Sequence, residues 1–317
     1  MASIDGTVVV LGTGGTIAGT ADSATDSVGY RAASLGVDAL VAAVPPLAGW
    51  AVECRQMAQV DSKDMGLGLW LALRAVLLQQ LQRPEVVGAV ITHGTDTLEE
   101  TAYFLHRVLA PGKPVLLTAA MRPATSLQAD GPQNLLDAVT LARAGDAVGV
   151  RVVLGGQVFG AVELRKQHPW RIDAFGAGDA GVLGLIQDGV LQRFRDAPPA
   201  VPHAAADALP DEADAWPRVE IVTSHAGASG AVIDALVAAG VHGIVIAGTG
   251  NGAVHDQLLQ AARRAIAAGV PVVRASRCLL GGVFGGVFGA PAGALPSYGA
   301  LTPWQARIEL MLDLLAR

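Results

Sequence analysis

The 317-residue sequence has few of the residues that hold small secreted domains or metal centres together. It contains two cysteines, Cys54 and Cys278, which lie far apart in the chain. Its seven histidines are scattered, and no histidine–cysteine pair has the spacing of a zinc site. A disulfide framework is therefore excluded, and we expect no structural metal.

Positive charge is also scarce. Lysine and arginine number 22 against 28 aspartates and glutamates, a net charge of -6, and no basic stripe is present. This argues against nucleic acid and anionic membrane surfaces as partners. No apolar run is long enough to span a membrane. Residues 1–5 lack the basic and apolar regions of a signal peptide, so we expect a cytoplasmic protein, or a periplasmic one if a signal peptide has been removed.

Apolar residues, in contrast, are abundant, and at 51% they exclude a disordered chain. The length predicts two domains, at a typical size of roughly 150 residues for each domain. A segment rich in proline and acidic residues begins at residue 196. We therefore predict a larger amino-terminal domain over residues 1–195, a linker over 196–216 and a smaller carboxy-terminal domain over 217–317.

Short apolar runs alternate with helical patterns in both predicted domains, which is typical of a mostly parallel α/β fold. An Asp130 cap followed by Pro132 marks one helix start. A Gly155-Gly156 turn indicates a β-hairpin, and residues 20–31 have no apolar period and are expected to form a mobile loop. Strands are predicted at 7–11, 86–91, 114–118, 148–154, 157–164, 219–223, 243–247 and 270–275, and helices at 37–44, 64–81, 97–109, 130–143, 230–239, 255–268 and from 302 onwards.

Three glycine-rich loops follow predicted strands, at residues 12–16, 92–96 and 248–252. Ligands of parallel sheets lie at this position, where glycines let backbone N–H groups approach an anion. The first loop alone would suit a nucleotide phosphate, and a dinucleotide-dependent oxidoreductase is one alternative. Its glycine spacing fails, however, because Ile17 stands where a third glycine is needed after Gly12 and Gly14.

Two of these loops place a threonine at a strand-to-helix turn, Thr16 in one and Thr95 in the other. A threonine hydroxyl needs a neighbouring base to act as a nucleophile. Lys166 could serve if it is withdrawn from water and so partly neutral. Asp96 could orient that lysine or bind a substrate ammonium group, and Tyr30 could supply a phenol to Thr16.

Four stretches, in order along nearly the whole chain, resemble signatures of the bacterial-type L-asparaginase family. They are residues 13–19 (TGGTIAG), 92–102 (THGTDTLEETA), 120–135 (beginning AMRP and ending ADGPQNL) and 248–252 (GTGNG). The resemblance implies an amidohydrolase that cleaves the side-chain amide of L-asparagine to L-aspartate and ammonia. It implies a larger and a smaller α/β domain, assembly into homodimers or homotetramers, and no metal or organic cofactor.

Carried over to this sequence, the resemblance assigns Thr16 as the nucleophile and Tyr30 as its partner from the loop. It assigns Thr95, Asp96 and Lys166 as a second group made of a hydroxyl, an acid and a base.

The resemblance also implies the substrate contacts. Ser62 would bind the substrate α-carboxylate, and Asp96 would hold the α-ammonium group. Gly15 and Thr95 belong to the predicted binding residues as well. Asn251 would reach the site from the second domain of a neighbouring subunit.

The sequence departs from the family pattern at two places. Lys63 stands beside Ser62 where relatives often have an amide, and its cation would repel the α-ammonium unless it points away. Many relatives also supply a carboxylate from the second domain, yet no Asp or Glu lies between Asp256 and Glu309. A glutaminase-asparaginase of broader specificity and a weakened amino-acid-binding relative are therefore alternatives to an asparaginase.

Overall fold

The computed structural model describes residues 5–26, 28–145, 147–285 and 294–317. The expectation about a signal peptide rests on residues 1–5, of which 1–4 lie outside these ranges. The chain divides into two compact units, Met1–Pro202 and His203–Arg317, so the division falls within the 196–216 segment. Among the described residues, no helix combines the length and apolar character needed to cross a membrane.

The first unit is built on an eight-stranded sheet in the order β10-β9-β6-β5-β4-β3-β1-β2. Strands β2, β1, β3, β4 and β5 run parallel, and β6, β9 and β10 continue the sheet in antiparallel pairs. A separate two-stranded sheet pairs β7 with β8. The strands are β1 (Thr7–Gly14), β2 (Val52–Val60), β3 (Val86–Thr92), β4 (Pro114–Thr118), β5 (Gly149–Leu154), β6 (Gln157–Gly160), β7 (Arg165–Lys166), β8 (Phe175–Gly176), β9 (Gly184–Gln187) and β10 (Val190–Arg193).

Helices cover this sheet because its central strands are almost wholly apolar and buried. Val8, Val90 and Leu116 share a core with residues of α1 and α4, while Trp70 of α2 stacks on Phe104 of α3 with ring centroids 4.9 Å apart. The helices are α1 (Val37–Ala42), α2 (Leu67–Leu81), α3 (Leu98–Val108) and α4 (Gly131–Ala144).

The second unit is a three-stranded parallel sheet in the order β11-β12-β13. Its last helix begins with a capping box, in which Thr302 and Gln305 satisfy each other's backbone N–H groups. The elements are β11 (Val219–Thr223), α5 (Ala231–Ala238), β12 (Gly243–Gly248), α6 (Asp256–Ala267), β13 (Val272–Ser276) and α7 (Pro303–Leu315). The predicted α/β fold class, with its hairpin and smaller parallel domain, is confirmed.

Asp130 differs from its predicted role. It occupies the position before α4, but its side chain makes no capping bond. Instead its two carboxylate oxygens accept the backbone N–H groups of Met121 and Arg122, each at 2.9 Å. Asp130 therefore fixes the loop after β4, which is a long-range role that a local capping pattern does not reveal.

Candidate active site

Two loops that carry the predicted threonines are in direct contact. Gly14 ends β1 and Gly15 follows it, with φ values of 104° and 80°, a region that favours glycine. A Cβ atom on Gly15 would lie 2.2 Å from the Cα of Gly94, in the loop after β3. Because both residues are glycines, no side chain keeps the two loops apart. Their close approach brings Thr16 and Thr95 to the wall of one cavity.

The Thr16 hydroxyl is hydrogen-bonded to the Tyr30 hydroxyl. The two hydroxyl oxygens are 2.7 Å apart, and Thr16 is 7% exposed. The 20–31 segment that carries Tyr30 is closed at its base by paired backbone bonds between Thr20 and Arg31, both 2.9 Å. A Cβ on Gly19 would lie 2.9 Å from the tyrosine ring, so the ring packs closely on that backbone.

Lys166 links Thr95 and Asp96. Its Nζ donates to the Thr95 hydroxyl at 2.9 Å and to Asp96 Oδ1 at 2.6 Å. The lysine side chain is 16% exposed and that of Asp96 is 53% exposed. The arrangement joins a hydroxyl, an amine and a carboxylate in a single chain of hydrogen bonds, as proton transfer requires.

Ser62 contacts the backbone of Asp96. It is 2% exposed, and its Oγ accepts the backbone N–H of Asp96 at 3.1 Å. The hydroxyl of Thr97 donates to the Ser62 carbonyl at 2.7 Å. Ser62 thus holds the Asp96 turn in place, and its predicted contact with a substrate carboxylate stays a prediction.

Lys63 points to acidic neighbours. Its ammonium group bonds the carboxylate of Asp64 and lies 3.9 Å from that of Asp61, with the side chain 61% exposed. Asp64 raises the pKa of Lys63. Because the Lys63 cation is already paired with these carboxylates at the surface, its repulsion of a substrate α-ammonium group is reduced.

A single cavity of about 420 Å³ joins the five predicted catalytic residues, Thr16, Tyr30, Thr95, Asp96 and Lys166. Gly15 and Ser62 are not among its lining residues. The rest of the wall comes from residues that sequence reasoning missed as site residues, although one of the family stretches contains two of them. They are Val28, Met121, Arg122, Pro169 and Trp170.

Asn251 forms two side-chain hydrogen bonds within the second unit. Its amide nitrogen donates to the carbonyl of Phe284 at 3.1 Å, and its oxygen accepts the Phe284 N–H at 2.6 Å. This pair of bonds fixes the chain near residue 284. The predicted contact between Asn251 and a substrate stays a prediction.

His93, between β3 and Thr95, is wholly buried. Nδ1 faces the Gly94 carbonyl at 2.7 Å, and Nε2 faces the Thr101 hydroxyl at 2.9 Å, which also accepts the indole N–H of Trp70 at 2.8 Å. Burial lowers the pKa of His93 to about 4. The imidazole is therefore neutral at pH 7 and holds the turn as part of the core.

This buried histidine predicts a loss of stability in acid. Its pKa is lower in the folded than in the unfolded chain, so the unfolded chain takes up the proton first as the pH falls below about 6.5. Between pH 7 and pH 5, His93 alone should lower the free energy of unfolding by about 2 kcal/mol. Urea unfolding of the wild type and of His93→Asn at both values measures this. The pH-dependent loss should be smaller by that amount in the variant, and equal losses would contradict the assignment.

No three His, Cys, Asp or Glu side chains gather to hold a metal ion anywhere in the described part of the chain.

Two threonine hydroxyls stand at glycine turns that touch each other. Thr16 is hydrogen-bonded to Tyr30, and Thr95 is hydrogen-bonded to Lys166, which also contacts Asp96. This arrangement on an α/β fold is typical of a hydrolase. Comparisons with known proteins agree with this class. Residues 7–198 match the family "Asparaginase, N-terminal", and residues 218–316 match the "Glutaminase/Asparaginase C-terminal domain". The chain belongs to the asparaginase family, as the sequence signatures predicted.

Individual relatives cover nearly the whole chain. L-asparaginase 2 of Escherichia coli (strain K12) is 39% identical over 97% of this chain and 88% of its own length. The glutaminase-asparaginase of Pseudomonas fluorescens biotype A is 37% identical over 87% of this chain and 76% of its own. A crystal structure of a probable cytoplasmic L-asparaginase from Campylobacter jejuni has a TM-score of 0.89 and 34% identity, covering 98% of this chain and 96% of that one. Family membership leaves the dinucleotide alternative without support.

Proposed function

We propose that the protein hydrolyses the side-chain amide of L-asparagine to L-aspartate and ammonia through a threonine acyl-enzyme. The observation that carries this proposal is the meeting of Thr16 and Thr95 at one cavity, each bonded to a group that can move a proton. An amide has a poor leaving group, and a covalent intermediate divides its hydrolysis into two easier steps.

In the first step, Thr16 Oγ attacks the amide carbon of the substrate. Its proton passes to the Tyr30 oxygen, 2.7 Å away, while the tyrosine donates its own proton towards the leaving nitrogen. The C–N bond breaks, ammonia leaves and an aspartyl ester forms on Thr16. Backbone N–H groups at the glycine turn would stabilise the charge on the substrate oxygen.

In the second step, water hydrolyses the ester. The Lys166 amine accepts the Thr95 proton, and Thr95 in turn takes a proton from the attacking water. The ester bond between the acyl carbon and Thr16 Oγ breaks, and Thr16 takes a proton back from Tyr30. The proton held on Lys166 returns through solvent to Tyr30, and aspartate leaves. The 2.9 Å and 2.6 Å bonds of Lys166 support this route because they leave Asp96 beside the lysine to stabilise its charged form.

The free amino-acid end of the substrate would bind on the Asp96 side. One carboxylate oxygen of Asp96 has no partner among the described residues, and the side chain is half exposed, so it suits an α-ammonium group. Ser62, whose Oγ accepts the backbone N–H of Asp96, is the proposed partner of the α-carboxylate.

A coupled ammonia assay with L-asparagine, L-glutamine and D-asparagine tests the proposal. We expect L-asparagine to be hydrolysed fastest, because a substrate held by its α-ammonium group at Asp96 would carry a longer side-chain amide past the attacking oxygen of Thr16. L-Glutamine turnover at or above the asparagine rate would instead indicate a glutaminase-asparaginase. Asparagine binding in calorimetry without ammonia release would indicate a binding protein and reject the enzymatic assignment.

Assembly and location are part of the same proposal. Homodimers or homotetramers, and a contribution of Asn251 from a neighbouring subunit, are supported by family membership. A cytoplasmic location is supported by the Campylobacter jejuni structure, whereas a relative from Haemophilus influenzae is named a probable periplasmic L-asparaginase.

A further inference from the structure

The active-site cavity is larger than asparagine requires. At about 30 Å³ for each molecule, its 420 Å³ would hold roughly fourteen waters, more than one asparagine displaces. The additional room is bounded by Val28, Arg122, Pro169 and Trp170. Val28 and Trp170 are 89% and 65% exposed, so this part of the wall forms an open apolar rim around one cation.

That cation, Arg122, is only partly used by the protein. Its Nη1 donates to the Trp170 carbonyl at 2.8 Å and to the Met121 carbonyl at 3.1 Å. Nε and Nη2 have no hydrogen-bond partner among the described residues. Both oxygens of the nearby Asp130 accept backbone N–H groups. The guanidinium is therefore held in place at one nitrogen and retains further donors for an anion.

The position of Arg122 relative to the reacting groups indicates which end of a substrate it would meet. Ser62 packs against Gly94, since a Cβ on that glycine would lie 2.5 Å from the serine Oγ, and Ser62 also bonds the backbone of Asp96. These contacts gather the proposed α-carboxylate and α-ammonium partners on one side of Thr95. Arg122 lies instead on a loop that contacts the segment just after Thr16, since the Ala124 N–H donates to the Gly19 carbonyl at 2.9 Å. Because Thr16 attacks the amide carbon in the proposed reaction, Arg122 would meet the group attached to the amide nitrogen.

We propose that Arg122 forms a carboxylate-binding position beyond the amide, and that the enzyme hydrolyses asparagine derivatives whose amide nitrogen carries a short carboxylate-bearing group. β-Aspartylglycine is the smallest such compound. This inference rests on the proposed amidohydrolase function and specifies a further substrate class for the same site. Arginine suits the task because its planar donors match a carboxylate.

The chemistry balances as it does for asparagine. Thr16 attacks the β-carbonyl, the bond to the glycine nitrogen breaks, and that nitrogen takes the proton relayed by Tyr30. Glycine leaves in place of ammonia. Water then cleaves the aspartyl ester, and the net reaction converts one dipeptide and one water into aspartate and glycine.

The test compares β-aspartylglycine with β-aspartylglycinamide, which has the same shape but no terminal charge. We expect the wild type to cleave the first with a kcat/KM roughly ten- to hundredfold higher, the effect of one charge-assisted hydrogen bond. Release of glycine or glycinamide is followed by amine derivatisation and chromatography. L-Asparagine is assayed on the same preparation by ammonia release.

Arg122→Gln removes the cation but keeps a donor for the Trp170 carbonyl, and Arg122→Lys keeps the charge without the planar donors. In Arg122→Gln the preference for the charged dipeptide over its amide should fall to near unity, with the thermal midpoint close to that of the wild type. Arg122→Lys should keep an intermediate preference.

The two levels of the proposal fail in different ways. L-Asparagine turnover without cleavage of either dipeptide, or equal cleavage of both by the wild type, would overturn the Arg122 inference alone. A preference that survives in Arg122→Gln would also overturn it. Absence of L-asparagine turnover would reject the proposed function itself.

Discussion

Replacement of Thr16 by alanine is expected to lower kcat for L-asparagine hydrolysis by about 10⁴-fold. In the proposed mechanism the variant has no oxygen on which the acyl-enzyme could form, so only binding and oxyanion stabilisation would remain. Tyr30→Phe keeps the nucleophile and removes its 2.7 Å partner, so we expect a smaller loss, of about 10²-fold. Steady-state ammonia release measures both effects.

Thr13→Val provides the matched control for Thr16→Ala. Thr13 is another buried threonine, near the end of β1 and three residues before Thr16, and its hydroxyl donates to the Thr92 carbonyl at 2.9 Å. It does not line the cavity, so its loss should lower the thermal midpoint and leave turnover within a few-fold. Thr16→Ala with turnover close to the wild type would contradict the mechanism.

Acid quenching during turnover separates the two threonines. The aspartyl ester should be found by mass spectrometry on the peptide that contains Thr16. An ester on the peptide that contains Thr95 would show that the roles of the two hydroxyls are reversed.

The second large effect is expected for Lys166→Met, with a loss in kcat of about 10³-fold. Methionine preserves much of the length and the apolar stem of lysine but cannot accept a proton. Lys166→Arg should not restore activity, because a guanidinium stays protonated and cannot act as a base. The measurement is steady-state ammonia release at saturating L-asparagine.

Lys113→Met is the control for the loss of a lysine. The Lys113 ammonium donates to the Arg83 carbonyl at 2.7 Å and does not line the active-site cavity. This variant should keep the activity of the wild type. Near-normal kcat in Lys166→Met, or rescue by Lys166→Arg, would show that the amine does not move a proton.

The central strands could be predicted because burial on both faces imposes continuous apolar runs. Strands β1, β3 and β4 have this pattern, and their predicted positions agree closely with the structure. Strand β2 was missed because it is an edge strand on which Glu53, Arg55 and Gln56 interrupt the apolar pattern. The two-residue strand β7 is too short for any periodicity to appear.

The site was predictable where it lies in contiguous motifs and not where distant segments meet. The glycine turns that carry Thr16 and Thr95 can be recognised in the sequence. Lys166 and Tyr30 were candidates first for their chemistry and then through the family resemblance, and the structure places both at the same cavity. Arg122 lies within the quoted AMRP stretch, yet its partner is the Trp170 carbonyl, 48 positions along the chain. Only the folded chain shows that these residues form one wall.

The contact between Gly15 and Gly94 sets the distance between the hydroxyls of Thr16 and Thr95, so this distance depends on both loops. Alanine at position 15 would place its Cβ 2.2 Å from the Gly94 Cα, force the two loops apart and separate the hydroxyls, even with every reactive atom still present. Alanine at position 94 would instead clash first with Ser62, whose Oγ would lie 2.5 Å away. Any redesign that transplants or reshapes this site must therefore move the two turns as one unit. Substitutions at residues 169–170 or near Val28 could alter the substrate range without disturbing that unit.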